Sequence, residues 1–125
     1  MPIATTVDHD RELTTHTGTG VVSFEDLMTA LRNFWEGQPT KNVLWDGRKG
    51  NAPNLSTKDV ERIVDYVVSK AEKRLVGKTA MVVPNDLEYG LSRAANIFHE
   101  IAQLPHQVKV FRSIEAAYQW LDEQT

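Results

Sequence analysis

Short apolar stretches alternate with amphipathic helices along this chain of 125 residues. The clearest helix follows Ser56, where apolar residues recur at helical spacing: Val60, Ile63, Val64, Val67, Val68 and Ala71. Ser56 can accept a hydrogen bond from the backbone N–H of Asp59, which predicts an N-cap at this position. Strands and helices that alternate through short connections form right-handed βαβ units. The pattern therefore predicts an α/β fold built on a mixed, mainly parallel sheet.

The predicted order of elements is ββαβαβαβα. β-Branched residues in 3–7 and 13–17 flank a polar turn and predict a β-hairpin, with Gly18 and Gly20 expected to end its second strand. The later strands are predicted at 42–46, 80–83 and 108–111, and the helices after Ser23, Ser56, Asn85 and Ser113. Gly77 is expected to end the helix that follows Ser56. We expect the first strand to run antiparallel to its neighbour, the other strands to be parallel, and four helices to pack on the sheet.

The composition predicts a single soluble domain that spans residues 1–125. Hydrophobic residues make up 41% and charged residues 25%, and 17 acidic against 14 basic side chains give a net charge of −3. The chain has no cysteine, which excludes disulfides, thiolate metal sites and cysteine nucleophiles. The chain has no block of lysine and arginine, so its composition does not suggest a nucleic-acid partner. It also has no apolar stretch that reaches the roughly 18 residues of a membrane span. We therefore predict a cytoplasmic protein that does not span a membrane.

Several polar residues are predicted to meet at one edge of the sheet. In a parallel sheet the carboxyl ends of the strands and the amino ends of the next helices share an edge, where ligands usually bind. The residues placed there are Asp46, Arg48, Lys49, Ser56, Thr57, Asn85, Asp86, Arg112 and Ser113. Residues 47–51 are predicted as a glycine-flanked loop that closes on a phosphate or a carboxylate. Ordinary helix caps and a solvated loop explain the same residues without a ligand.

The remaining polar and aromatic residues give no catalytic pattern. The four histidines are His9, His16, His99 and His106; they show no metal-ligand spacing, so a surface or loop position is expected for each. Trp35 and Tyr89 fall near predicted helix ends, where partial exposure would serve a partner or an apolar ligand, although core packing is the simpler interpretation. No two titratable residues stand at a spacing that catalysis requires. We predict no enzyme, no metal and no cofactor.

The stretches 82–91 and 110–117, together with the long capped helix after the third strand, carry a likeness to a known family. With the order of elements, they resemble the SpoIIAA-like branch of the STAS domains. That family includes anti-sigma factor antagonists and the cytoplasmic tails of sulfate transporters. The resemblance implies a SpoIIAA-like fold and a non-enzymatic module that binds a protein partner and is switched by phosphate or senses a nucleotide.

The resemblance also implies a phospho-acceptor. In the antagonists a phosphorylatable serine or threonine opens the helix after the third strand, within an Asp-Ser-Ser-Gly-like motif. The matching stretch here is 55–58, so Ser56 and Thr57 are the candidate phospho-acceptors. Leu55 stands in place of the acidic residue of the motif, and Lys58 stands in place of its glycine.

A small-ligand protein of the same fold is the alternative function. In that case the sheet and its helices enclose a lipid, a nucleotide or an anionic metabolite, because related folds bind lipids and nucleotides. A pocket with convergent polar groups would favour the ligand, whereas a flat edge would favour a protein partner. A homodimer is compatible with either function.

Overall fold

The computed structural model describes residues 2–83 and 104–123. Five strands form one sheet in chain order: β1 (Ile3–Asp8), β2 (Leu13–Val21), β3 (Asn42–Asn51), β4 (Lys78–Val82) and β5 (Gln107–Phe111). The described helices are α1 (Phe24–Glu36), α2 (Thr57–Lys70) and α3 (Ile114–Asp122), and a 3-10 turn, Ala71–Lys73, follows α2. β1 is antiparallel to β2 and every other pairing is parallel, which confirms the predicted mixed sheet. The helix predicted after Asn85 lies outside the described residues.

Each face of the sheet carries a hydrophobic core. On the face that α1 and α2 cover, the described core cluster includes Met28, Leu31, Phe34, Trp35 and Val43. On the face that α3 covers, the described core cluster includes Leu13, Leu44, Ala80, Val82, Ala117 and Leu121. Successive residues of a strand point to opposite faces, so Val43 and Leu44 belong to different cores. Burial of both faces explains why the central strands read as continuous apolar runs.

The helix starts follow from local sequence. Ser23 and Ser56 each accept a hydrogen bond from the backbone N–H three residues later, and Asp26 and Asp59 accept from the backbone N–H of these serines. Both helices therefore begin with a complete capping box. Ser113 caps α3 by accepting from a backbone N–H of its first turn. All three predicted serine caps are confirmed.

Replacement of Ser56 by alanine is expected to lower the free energy of unfolding by about 0.5–2 kcal/mol, the usual effect of losing an N-cap. In the wild type the Ser56 hydroxyl accepts from the N–H of Asp59 at 3.0 Å, and the alanine variant loses this acceptor. Urea denaturation measures the difference. Thr57→Ala is the matched control, because Thr57 is exposed in the first turn and does not cap the helix. Equal midpoints for Ser56→Ala and the wild type would contradict the prediction.

Two strands are longer than predicted. β2 continues through Gly18 and Gly20, and β3 continues past Asp46, so that their extensions pair with each other beyond a shift in register. A Cβ at Gly50 would stand 3.0 Å from the backbone of Gly18, which shows how closely the two strands approach. The prediction of a loop at 47–51 is therefore wrong, as is the prediction that glycines end β2.

The end of α2 also differs from the prediction. The helix stops at Lys70, and Gly77 lies further on, directly before β4. Gly77 has a φ of +114°, in the region that favours glycine, and a Cβ there would fall on the carbonyl oxygen of Lys41. Gly77 is therefore required for a close approach between two loops and does not end α2. Val68, predicted to face inward, is 40% exposed.

Candidate functional site

A cavity of about 240 Å³ lies between the sheet and helices α1 and α2. Its lining is almost entirely apolar and includes Leu31, Phe34 and Trp35 of α1, Ile63, Val64 and Val67 of α2, and Val43, Trp45 and Met81 of the sheet. Apolar cavities of about 150 Å³ hold a benzene molecule. This cavity therefore has room for a molecule of one or two rings, or for a short acyl chain.

The starts of both helices contribute to the cavity wall. Val22 and Leu27 flank the N-cap of α1, and Leu55 and Val60 flank the N-cap of α2, in the positions of a hydrophobic staple. All four side chains line the cavity. The local signals that begin the helices thus also position part of the apolar wall.

His16 of β2 lines the cavity and is only 2% exposed. Its Nδ1 lies 2.8 Å from the hydroxyl oxygen of Thr5, and its ring centroid lies 4.1 Å from that of Trp45. Within the described part of the chain, the buried Nε2 has no hydrogen-bond partner. Burial lowers the pKa of His16 to about 4, so the imidazole is neutral at pH 7.

Arg74 follows the 3-10 turn after α2 and also lines the cavity, although it is only 5% exposed. Its Nε and Nη2 donate to the carbonyl of Lys41 at 3.2 and 2.9 Å, and Nη2 also donates to the carbonyl of Lys78 at 2.9 Å. Its Nη1 donates to the hydroxyl oxygen of Thr79 at 2.8 Å. Burial lowers the pKa of Arg74 to about 10, which leaves the guanidinium charged at neutral pH.

The charge of Arg74 is not balanced by a carboxylate among residues 2–83 and 104–123. The ion pairs in these ranges involve Arg11, Arg32 and Arg48. The Arg74 guanidinium lies instead 5.7 Å above the ring centroid of Phe34 and 5.8 Å above that of Trp35. A cation held by neutral oxygens and aromatic faces therefore borders an apolar cavity.

Among the described histidines, His16 is not where the sequence predicted. It lies within β2 and is 2% exposed, so the prediction of a surface or loop position is wrong for it. His9 is exposed, and His106 lies in the loop directly before β5 as predicted, although it is only 4% exposed. His99 lies outside the described residues. His106 lines the cavity too, and its ring lies 5.7 Å from that of Trp35. The missed signal for His16 is the position of β2 inside the sheet, where helices cover both faces.

Two residues of the predicted edge site, Asp46 and Arg48, form an ion pair with each other. Asp46 lies in the middle of β3, and its two carboxylate oxygens accept from Nε and Nη2 of Arg48, both at 2.9 Å. This pairing holds the pKa of Asp46 below its ordinary value. Arg48 also attracts Glu115 of α3 electrostatically. Arg48 is therefore engaged by carboxylates and does not lie in a loop that closes on a phosphate.

The other residues of the predicted edge lie apart from the cavity lining or outside the described residues. Lys49, Ser56, Thr57, Arg112 and Ser113 are exposed and do not line the cavity. Asn85, Asp86 and Tyr89 lie outside the described residues. Trp35 is 2% exposed, so core packing is confirmed for it and exposure at a helix end is wrong.

No match is found among protein-family models or among curated proteins. A solved structure is similar: an uncharacterized protein from the DUF3478 family with a SpoIIAA-like fold, from Shewanella loihica PV-4. The two superpose with a TM-score of 0.58 at 18% sequence identity, over 95% of this chain and 91% of that chain. This chain has a SpoIIAA-like fold. The predicted fold is thus confirmed, and the likeness extends to the fold alone.

Within this SpoIIAA-like fold, His16 is a lining residue that contacts a hydroxyl group, that of Thr5, which lies outside the described lining. The two side chains are close enough for a nucleophile and its base, but a histidine with a pKa of about 4 is a weak base at neutral pH. No group in the described ranges orients its other nitrogen. In the same ranges, no cluster of three histidine or carboxylate side chains can hold a metal ion, and no helix is long and apolar enough to cross a membrane.

Proposed function

We propose that this chain is a binding protein that holds a small apolar molecule in the cavity between the sheet and helices α1 and α2, without catalysing a reaction. The observation that carries the proposal is the cavity itself, about 240 Å³ of apolar space bordered by a few polar groups. Ligand sites typically combine an apolar wall with a small number of placed polar groups, at about 300–1,000 Å³. A cavity just below that range suits a small ligand. A cytoplasmic location stays part of the proposal.

The direct test uses 2-naphthamide, an uncharged two-ring molecule, as the probe. Isothermal titration calorimetry is expected to give a Kd on the order of 10–100 μM, in line with the affinity per atom of small ligands. In an NMR spectrum, the indole N–H signals of Trp35 and Trp45 are expected to shift because both rings line the cavity. The signal of Trp120 is the internal reference, since that ring packs on the α3 side of the sheet.

A pair of variants on α2 locates the binding site. Val64 lines the cavity, whereas Val68, one turn later, is 40% exposed and does not. Val64→Phe fills part of the cavity and is expected to weaken binding of 2-naphthamide at least about tenfold, a difference of about 1.4 kcal/mol. Val68→Phe makes the same chemical change outside the cavity and is expected to bind like the wild type. Equal affinities in all three proteins would contradict a site in this cavity.

A phosphate-switched module that binds a protein partner, or a second copy of the chain, is the second candidate, as the STAS resemblance implies. The observation in its favour is the exposure of Ser56 and Thr57, which leaves both hydroxyl groups within reach of a kinase. Its test is mass spectrometry of the protein purified from its native host. Phosphate on either residue would support this candidate, and unmodified protein under all growth conditions would contradict it.

A further inference from the structure

Arg74 is a buried charge for which the described residues offer only neutral partners. The transfer of a guanidinium into the protein interior costs several kcal/mol unless other interactions offset it. Its hydrogen bonds go to two backbone carbonyl groups and to the hydroxyl of Thr79. These oxygens are hydrogen-bond acceptors without a net charge. An anion in the adjacent cavity would therefore supply the opposite charge that these partners of Arg74 lack.

The groups around Arg74 also retain hydrogen-bonding capacity. The Nη1 atom carries two N–H groups, and the described residues accept from it once, through Thr79. The Thr79 hydroxyl accepts that bond and keeps its own proton for another acceptor. Thr79 lines the cavity and is 8% exposed. One N–H and one O–H at neighbouring atoms suit the two oxygens of a carboxylate.

His16 and Asp46, two other polar residues of the described lining, do not oppose an anion. His16 is neutral at pH 7 because its burial disfavours the charged form. Asp46, which also borders the cavity, has its carboxylate neutralised by Arg48. The charge that remains uncompensated among these groups is that of Arg74.

We infer that the ligand of the cavity is an apolar molecule that carries one carboxylate, and that Arg74 and Thr79 are the residues that bind this carboxylate. The inference rests on the proposed binding function and adds the chemical class of the ligand. The apolar part, one or two rings or a short acyl chain, occupies the space between α1, α2 and the sheet. The carboxylate lies at the Arg74 end of this space.

Three probes that share one apolar skeleton test the ligand class in the wild-type protein. They are 2-naphthoate, which is an anion, 2-naphthamide, which is neutral, and 2-(aminomethyl)naphthalene, which is a cation at pH 7. The anion is expected to bind at least about tenfold more tightly than the amide, as charge-assisted hydrogen bonds are about twice as strong as neutral ones. The cation is expected to show no binding at the same concentrations.

A substitution at Arg74 tests whether this residue causes the preference for the anion over the amide. Arg74→Gln removes the charge, and the ratio of the two affinities for 2-naphthoate and 2-naphthamide is expected to fall to about one. Arg62→Gln is the matched control, since Arg62 is exposed on α2 and does not line the cavity. Should Arg74→Gln fail to fold, the Arg74 Nε–H signal of the wild type replaces it. This NMR signal is expected to shift more with 2-naphthoate than with 2-naphthamide.

The outcomes separate the two proposals. If none of the three probes binds in the cavity, the proposed function itself is wrong. If the amide or the cation binds as tightly as the anion, the cavity is a binding site but the inference about a carboxylate is overturned. If the anion binds more tightly and Arg74→Gln keeps this preference, Arg74 is not the anchor and the assignment is overturned.

Discussion

Arg74→Met is expected to lower the free energy of unfolding by about 3–5 kcal/mol, a large part of the roughly 5–15 kcal/mol that stabilises a domain of this size. Methionine keeps an apolar stem but donates no hydrogen bond. The carbonyl group of Lys78 and the hydroxyl of Thr79 would each lose a charged donor in a buried contact, and the carbonyl group of Lys41 would lose one in a partly buried contact. An unsatisfied buried acceptor costs about 1–3 kcal/mol, which offsets the benefit of no longer burying a charge.

Urea denaturation monitored by circular dichroism measures this loss. Arg32→Met is the control, because Arg32 is exposed on α1 and its contact with Glu25 is long, at 4.0 Å between Nη2 and Oε2. An exposed pair of this kind contributes about 0–1 kcal/mol. A midpoint for Arg74→Met that equals that of Arg32→Met would show that the buried hydrogen bonds of Arg74 do not stabilise the fold.

The sequence did not reveal the role of Arg74 because several of its contacts, with Phe34, Trp35 and Lys41, are distant along the chain. Arg74 directly follows Glu72 and Lys73, and charged neighbours of this kind indicate a solvated surface. Its principal acceptor, the carbonyl of Lys41, is 33 residues away. Gly77 allows that carbonyl to come close, since a side chain at position 77 would fall on it. Burial of Arg74 is thus a result of tertiary packing, which no local pattern encodes.

The features that the sequence did predict are those with local causes. The serine caps of α1 and α2 depend on residues within four positions, and both form as expected. The β-hairpin and the parallel strands follow from the spacing of short apolar runs. The extension of β3 beyond Asp46 was missed because it depends on the extension of β2 beside it. Gly47 and Gly50 resembled loop residues, yet the close pairing of the strands leaves little room for a side chain at position 50.

The candidate site was harder to predict than the fold. The edge residues chosen from the sequence, such as Arg48 and Lys49, stand where parallel sheets usually bind ligands, but the cavity lies on the face beneath α1 and α2. A surface or loop position was expected for His16 because the histidines show no metal-ligand spacing, which does not bear on burial. In a sheet covered on both faces, residues that point to either face of a strand are buried.

The pH dependence of stability is expected to carry a contribution from His16. The pKa of the folded protein's His16 is about 4, whereas that of an unfolded histidine is about 6.5. Below pH 6.5 the unfolded chain binds a proton that the folded chain does not, so stability falls as the pH is lowered. The loss extends from pH 6.5 down to about pH 4 and amounts to about 3 kcal/mol. Below pH 4 both states are protonated and the loss is complete.

A comparison of the wild type with His16→Phe isolates this contribution. Phenylalanine keeps a ring beside Phe34 and Trp45 and has no proton to bind, and these neighbours do not titrate either. The free energies of unfolding are measured at pH 7.5, 6.5, 5.5 and 4.0, and they are expected to fall more steeply in the wild type. Between pH 7.5 and pH 4.0 the wild type is expected to lose about 3 kcal/mol more of its free energy of unfolding than His16→Phe does. His9→Asn is the control, since His9 is exposed and its replacement is expected to leave the slope of the wild type unchanged. Parallel curves for the wild type and His16→Phe would mean that His16 is protonated as easily in the folded chain as in the unfolded one, which contradicts its burial as a neutral imidazole.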